Sequence, residues 1–296
     1  MFPFLALFAA AAALVSSSCS SNDSSTNETQ PSETTVPSIP PPAKDEEVLP
    51  TPSETESSPP SSPCPEGMVA VDRFCIDRYE ASLLVGDQRF PHNQRPKAEQ
   101  EYRASSEFGV FPQGYISRNE SEQACRKSAK RLCTLSEWLG ACRGKEKWIY
   151  PYGNAEDKSK CNNWKTHLMS QFYKGVDPMT WGYDSHFNNP QLDAEPGFLA
   201  KTGEYGGCES PSGVHDMVGN LHEWISDFVD LDLPAKISLK EGLMERLHFD
   251  LGHGIFMGGF FSTSNEHGLG CGFITIGHEA AYHDYSTGFR CCADQH

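Results

Sequence analysis

The sequence predicts one α+β domain with little regular secondary structure, held together by disulfides. Three observations lead to this fold class. Strand-like runs are short, helices with clear start signals are few, and cysteines are frequent, with 11 in 296 residues. The connecting segments are long and rich in Gly, Asn, Pro and Asp. Such a domain needs covalent cross-links beside its core, and an oxidising compartment in which to form them.

The first predicted elements are two short strands, Met68–Val71 and Phe74–Ile76, in which apolar and β-branched residues dominate. A helix is predicted to begin near Ser117 or Asn119, residue types that cap helix N-termini, and to continue through Ala129.

A second helix has the clearest start signal in the chain. Thr134 is its predicted N-cap, and Glu137 three residues later completes a capping box. Gly144 is expected to end it. A third helix is predicted near Leu239–Leu247. The last predicted strands are Phe256–Phe261 and Gly272–Ile276.

Composition divides the chain into three parts. Residues 1–18 carry no charge and contain an apolar run of signal-peptide length. Residues 19–63 are predicted to be a disordered, extended tether, because 27 of the 44 residues from 20 to 63 are Ser, Thr or Pro and their net charge is −7. Residues 64–296 are predicted to form the folded domain.

Cys19 explains the odd cysteine count. It follows the apolar run and three serines, an order that resembles a bacterial lipoprotein signal, in which the cysteine is acylated. This predicts a lipid anchor on Cys19, a bacterial cell-envelope location and the membrane as a partner. Ser20 after the cysteine resembles an outer-membrane sorting signal. The alternative is an ordinary secretory signal cut near Ser18, with Cys19 left free.

Charge and hydropathy exclude two classes of protein. The formal net charge of −16 argues against a nucleic-acid partner, because such a protein needs a basic face that displaces counterions. No apolar run reaches the roughly 18 residues that a membrane-spanning helix needs.

Seven short motifs lie one after another along residues 67–291. They are GMVAV with IDRYE (67–80), KRLCTLSEWLGACRG (130–144), YPYGN (150–154), CNNW (161–164), DMVGNLHEW (216–224), GGFF (258–261) and TGFRC (287–291). Together they resemble the formylglycine-generating-enzyme family, also called sulfatase-modifying factor domains. The resemblance implies the fold of that family, an α+β variant of the C-type-lectin type, over residues 64–296.

The resemblance also implies two core disulfides, Cys125–Cys291 and Cys142–Cys271. Six cysteines of the domain then remain, and several pairings are possible. Their positions favour Cys64–Cys75, Cys161–Cys208 and Cys133–Cys292. A four-cysteine zinc site is the competing interpretation.

Family members bind structural calcium through loop oxygens, which suits a hard cation. The alternative is that the acidic side chains only cap turns. For the second family site, the resemblance implies the ligands Asp216, Gly219, Leu221 and Glu223. For the first site, only Asn162 and Asn163 match.

The reaction centre departs from the family. The resemblance implies oxidation of a sulfatase cysteine, in a Cys-x-Pro-x-Arg context, to formylglycine by copper(I) and oxygen. Two thiolates hold the copper, as soft ligands suit a soft ion. Here the first position falls on Thr263 and the second near Gly268, and no cysteine lies between Gly258 and Gly270. We therefore assign no catalytic residue and expect no copper.

Histidines offer a substitute metal site in the C-terminal third. His278, His283 and a carboxylate could form a two-His-one-carboxylate centre. The alternative is that these histidines only form hydrogen bonds in a polar loop.

Two functions remain after these observations. The favoured one is a membrane-anchored lipoprotein that displays a non-catalytic domain for binding an unknown protein or carbohydrate ligand. The alternative is an active formylglycine-generating oxidase, or another redox enzyme with relocated ligands.

Overall fold

The computed structural model describes residues 63–295. The predictions for the signal peptide, for Cys19 and for the tether up to residue 62 lie outside the described residues. Within residues 63–295, no helix has the length and apolar character needed to cross a membrane.

The described strands are short and belong to three small sheets. Their bounds are β1 (Met68–Val71), β2 (Phe74–Asp77), β3 (Ala81–Val85), β4 (Gln88–Arg89), β5 (Arg103–Ser106), β6 (Arg131–Leu132), β7 (His222–Phe228), β8 (Gly254–Met257), β9 (Ile274–His278), β10 (Thr287–Phe289) and β11 (Cys291–Asp294). The sheet orders are β1-β2-β11-β6, β10-β7-β8-β9 and β4-β3-β5. Pairing is antiparallel except between β10 and β7.

The helices lie between these strands. Their bounds are α1 (Arg118–Lys127), α2 (Leu135–Arg143), α3 (Leu168–Phe172), α4 (Leu233–Lys236) and α5 (Glu241–Arg246), with short 3₁₀ or π turns at Pro178–Thr180, Tyr183–Phe187 and Gly270–Gly272. Mixed short helices and mainly antiparallel strands confirm the predicted α+β class.

Capping boxes begin both long helices. Ser117 and Glu120 bond reciprocally at the start of α1, and Thr134 and Glu137 do the same at the start of α2. The second start was predicted to the residue. The first helix ends two residues before its predicted limit, because Ala129 has φ +54°, a left-handed conformation that ends helical geometry.

Glycine geometry corrects the two C-terminal strand predictions. β8 ends at Met257 because Gly258 and Gly259 both adopt positive φ. The strand predicted at Gly272–Ile276 is β9, and it begins at Ile274 because residues 270–272 form a 3₁₀ turn. His222, in the DMVGNLHEW motif, begins β7.

Five disulfides link the described residues: Cys64–Cys75, Cys125–Cys291, Cys133–Cys292, Cys142–Cys271 and Cys161–Cys208. The pairs are the same as those expected from the sequence, and no four-cysteine zinc site forms among residues 63–295. Adjacent Cys291 and Cys292 lie in β11, where neighbouring side chains point to opposite faces. They therefore reach different partners.

A buried ion pair lies where the sheets and α2 meet. Arg290 and Glu223 are both buried, and two guanidinium nitrogens of Arg290 lie 2.6 Å from the two carboxylate oxygens of Glu223. The indole nitrogen of Trp138 donates to the same carboxylate at 2.7 Å. This network connects α2, β7 and the segment before β11.

Candidate functional site

The first expected copper position is occupied by a hydroxyl that the main chain already binds. Thr263 is buried, and its Oγ1 donates to the carbonyl oxygen of Phe260 at 2.8 Å. Its own backbone N–H bonds the same carbonyl at 2.9 Å. The side chain therefore stabilises the turn after the GGFF motif, and it offers no soft ligand.

The second position has no room for any side chain. Gly268 has φ +146°, and a Cβ there would lie 2.2 Å from the carbonyl oxygen of Gly272. The contact is with backbone, so it cannot be relieved by a rotamer change. All ten cysteines between residues 63 and 295 form disulfides, so this part of the chain provides no thiolate at either position.

A cavity of about 200 Å³ lies beside Thr263. Its other lining residues are His222, Phe256, Phe260, Glu266, His267, Phe273, Thr275, His278, Tyr282, Asp284 and Ser286. We call it the histidine cavity. The sequence alone indicated His278 as a candidate metal ligand but not His222, which lies inside the DMVGNLHEW family motif.

The three histidines are held in the neutral form. Burial lowers the pKa of His222 and of His267, and it lowers the pKa of His278 to about 4. The Nδ1 atom of His222 is buried and makes no hydrogen bond within the described residues. The ring of His278 stacks on the ring of Tyr282, with centroids 4.0 Å apart. Neutral imidazoles in an aromatic cavity can accept a hydrogen bond or bind a metal.

The proposed pair of His278 and His283 does not form a centre. Nδ1 of His283 lies 2.7 Å from Oδ1 of Asn188, and its ring packs on Tyr183, outside the histidine cavity. Among residues 63–295, no group of three or more His, Cys, Asp or Glu side chains is arranged to hold a metal ion.

The expected second calcium loop is a tight, glycine-dependent turn. Gly219 has φ +83°, and a Cβ there would lie 2.2 Å from the backbone oxygen of Asn162. The backbone N–H of Asn220 donates to that oxygen at 2.8 Å. The segments around Asn162 and Gly219, which are expected to bind calcium, are therefore in direct backbone contact. The sequence alone did not show this contact.

Buried negative charge in this loop exceeds the buried positive charge. Glu80, Asp216 and Glu223 are all buried, and Arg290 pairs with Glu223 only. Burial, assisted by the neighbouring carboxylates, raises the pKa of Glu80 well above its ordinary range. Burial also raises the pKa of Asp216 to about 7, although a 2.6 Å hydrogen bond from Gly203 N–H opposes this. A cation or a proton would compensate the excess.

The two expected sites differ in what they offer calcium. Asp216 carries uncompensated charge, whereas both oxygens of Glu223 already accept bonds from Arg290 and Trp138. In the first site, the side-chain oxygens of Asn162 and Asn163 are buried and without a hydrogen-bond partner in the described residues. These oxygens and the Asp216 carboxylate are hard ligands of the type that calcium prefers, and calcium stays a prediction for both sites.

Comparison with known protein families gives a match over most of the chain. A family model described as "Sulfatase-modifying factor enzyme 1-like domain" matches residues 53–295, well over half of the chain. The chain belongs to this family. The order of the seven motifs is thereby explained, and the family fold predicted for residues 64–296 is confirmed.

Two curated bovine proteins align with shorter stretches of this sulfatase-modifying factor domain. "Inactive C-alpha-formylglycine-generating enzyme 2" (Bos taurus) is 32% identical over 115 residues, which are 38% of this chain and 32% of that protein. "Formylglycine-generating enzyme" (Bos taurus) is 28% identical over 116 residues, 38% of this chain and 26% of that protein. The aligned part thus spans about a third or less of each relative.

Solved structures with a similar chain path have low sequence identity. "Major Tropism Determinant I1 Variant" is 13% identical with a TM-score of 0.44, and the match covers 79% of this chain and 54% of that one. "Crystal Structure of CarF" is 13% identical with a TM-score of 0.42, covering 75% and 87%. "Structure of PvdO from Pseudomonas aeruginosa" is 16% identical with a TM-score of 0.37, covering 75% and 80%.

The raised pKa of Asp216 predicts how the stability of this sulfatase-modifying factor domain depends on pH. The folded-state pKa of about 7 lies above the ordinary value of 3.8, so the proton on Asp216 stabilises the fold at low pH and is lost as pH rises through about 7. Without calcium, we expect the free energy of unfolding, relative to Asp216→Asn, to fall by on the order of 1–3 kcal/mol between pH 5 and pH 8.

Urea unfolding in EGTA and in calcium measures this effect. Histidines whose pKa is lowered by burial titrate in the opposite sense below pH 6.5, so Asp216→Asn provides the matched reference. If calcium binds, it will hold Asp216 ionised and flatten the wild-type dependence. A pH dependence equal in wild type and Asp216→Asn would contradict the prediction for the proton, and identical curves with and without calcium would contradict the calcium site.

Proposed function

We propose that this sulfatase-modifying factor domain is a non-catalytic binding domain, displayed by a lipoprotein anchored in the bacterial cell envelope. The observation that carries the proposal is the closed copper position. The hydroxyl of Thr263 donates to a backbone carbonyl. Any side chain at Gly268 would place its Cβ 2.2 Å from a backbone oxygen. Copper(I) chemistry of the family kind needs two thiolates at these places.

The disulfides support the same proposal. Every cysteine from Cys64 to Cys292 is paired, so a thiolate pair would require breaking a cross-link of the core. One of the two bovine relatives is itself called inactive. The family framework is intact while its reactive groups are missing, and a fold of this kind can keep its core while its loops take a different role.

The anchoring part of the proposal concerns Cys19. A lipid on this cysteine, followed by the acidic Ser/Thr/Pro-rich tether, would hold the domain away from an outer membrane, where it could meet a protein or carbohydrate ligand. Palmitate labelling and globomycin sensitivity of the expressed chain test the anchor. We expect label on the wild type and none on Cys19→Ala; a Cys19→Ala protein that still fractionates with membranes would count against lipidation.

A direct assay tests the absence of oxidase activity. The purified full-length protein is incubated with copper(I), oxygen and a Cys-x-Pro-x-Arg peptide, and the aldehyde is measured by mass spectrometry. We expect no aldehyde above the copper-only background, with bovine formylglycine-generating enzyme as the positive control. Aldehyde that depends on the protein would overturn the proposal.

The alternative of a redox enzyme with relocated ligands makes a different prediction in the same assay. The neutral side chains of His222, His267 and His278 line one cavity next to Thr263. Their imidazole nitrogens are the ligands that this alternative would need, although within residues 63–295 they are not arranged as a metal centre. Under this alternative, activity would appear with the wild type and disappear with His222→Gln. Under the binding proposal, the wild type and His222→Gln give the same background.

A further inference from the structure

A second and larger cavity, of about 410 Å³, lies at the C-terminal end of α2. It is lined by Arg143, Lys147, Trp148, Ile149, Ser238, Leu239, Lys240, Gly268, Leu269 and Gly272. We call it the basic cavity. It shares no lining residue with the histidine cavity, although both border the segment 266–273.

The charges on its wall have one sign. Arg143, Lys147 and Lys240 line it, and no Asp or Glu is among the lining residues. The domain as a whole is acidic, since the chain carries −16 and residues 1–63 account for −7 of this, leaving −9. A positive recess on an acidic domain concentrates field at one place and attracts anions to it.

Arg143 is the central group, because it is half-buried and has no counter-charge. Its guanidinium makes no hydrogen bond or ion pair with any residue of the described range 63–295. Burial lowers the pKa of Arg143, and no carboxylate opposes the shift. A partly desolvated guanidinium is stabilised when an oxyanion accepts from its fork of N–H groups in a bidentate pair.

The wall of the cavity around Arg143 is cross-linked. The disulfide Cys142–Cys271 joins the residues next to Arg143 and Gly272. Backbone bonds from Trp148 N–H to the Arg143 carbonyl, 3.0 Å, and from Cys271 N–H to the Ile149 carbonyl, 2.8 Å, fix the wall between them. Binding therefore does not have to order these segments, which lowers its entropic cost.

We propose that the basic cavity binds a small acidic sugar, whose carboxylate or sulfate ester pairs with Arg143 while its ring packs against Trp148. The volume lies within the usual range for small-molecule sites, and an aromatic and aliphatic wall with a few fixed charged groups is their usual composition. Lys147 and Lys240 add long-range attraction. The site does not depend on whether oxidase activity remains, because the side chains that would hold the sugar, Arg143 and Trp148, are not at the copper position. Gly268 borders both places, but it contributes only backbone.

Titration of the full-length protein with defined sugars tests the proposal. The probes are D-glucuronate, D-glucose 6-sulfate, neutral D-glucose and inorganic sulfate, followed by ligand-observed NMR and calorimetry. We expect saturable binding of both acidic sugars, weakened by added salt, and at least about tenfold weaker binding of glucose and of sulfate. Sulfate bound as tightly as the acidic sugars would overturn the saccharide assignment.

Variants locate the binding. Arg143→Met is expected to weaken the acidic sugars by about tenfold or more. Gly272→Ala changes no charge but places a methyl carbon 3.2 Å from Nη2 of Arg143, and it should weaken binding while the fold is retained. Arg126→Met, an exposed arginine of α1 outside the cavity, is the matched control and should leave affinity within about twofold. Unchanged affinity in both Arg143→Met and Gly272→Ala, or no saturable binding by the wild type, would overturn the site.

Discussion

Replacing Arg290 by methionine is expected to lower the free energy of unfolding by about 3–5 kcal/mol. The guanidinium is fully buried and binds both oxygens of Glu223 at 2.6 Å. Without it, Glu223 stays buried beside Glu80 and Asp216 with no cation partner. The cost arises because the charge left behind can be neither solvated nor paired.

Guanidinium chloride unfolding of the wild type and Arg290→Met measures the loss. Arg126→Met is the control, because Arg126 forms an exposed ion pair with Glu122 and should cost no more than about 1 kcal/mol. Adding Glu223→Gln to Arg290→Met should recover part of the loss, since the second change removes the unpaired charge. A loss below about 1 kcal/mol in Arg290→Met would show that the buried pair is not a major source of stability.

Local features of this fold could be predicted because their determinants lie close together in the sequence. The capping box of Thr134 and Glu137 spans three residues, so it could be identified before the structure. The disulfide pairs came from the family resemblance and from position. The end of α1 at Lys127 could not be predicted, because alanine at position 129 gives no local signal for a left-handed conformation. The end of β8 at Met257 did have such a signal, since Gly258 and Gly259 follow it.

Features of the candidate site depend on contacts between distant segments. Glu80 belongs to the IDRYE motif, and its carboxylate accepts from the backbone N–H of Leu221 at 3.0 Å, across 141 positions. The closed copper position requires the approach of Gly268 to the Gly272 carbonyl, which no spacing rule predicts. The basic cavity likewise unites the end of α2 with the segments 238–240 and 268–272. The residue types at positions 263 and 268 can be read from the sequence alone, whereas the steric limit at Gly268 cannot.

Removing the Cys161–Cys208 disulfide, by alanine at both positions, is expected to cost about 4 kcal/mol, more than removing Cys125–Cys291, at about 3 kcal/mol. The larger loss is thus expected from the disulfide with the shorter sequence separation, which is 47 for Cys161–Cys208 and 166 for Cys125–Cys291. A disulfide stabilises mainly by restricting the unfolded chain, and this restriction grows with the loop that the bond alone closes.

The reason for the reversal is the neighbouring cross-link Cys133–Cys292, with a separation of 159. When Cys125–Cys291 is absent, this bond still holds the same two regions together, so the loop that opens has only about nine residues. Cys161–Cys208 has no such neighbour across its own loop within the described residues. Both pairs are buried and both lose the same atoms, so the difference isolates loop closure. Denaturant unfolding under non-reducing conditions measures the two losses in free energy of unfolding. A larger loss from Cys125→Ala/Cys291→Ala would mean that native-state packing, and not chain entropy, determines how much these disulfides stabilise the fold.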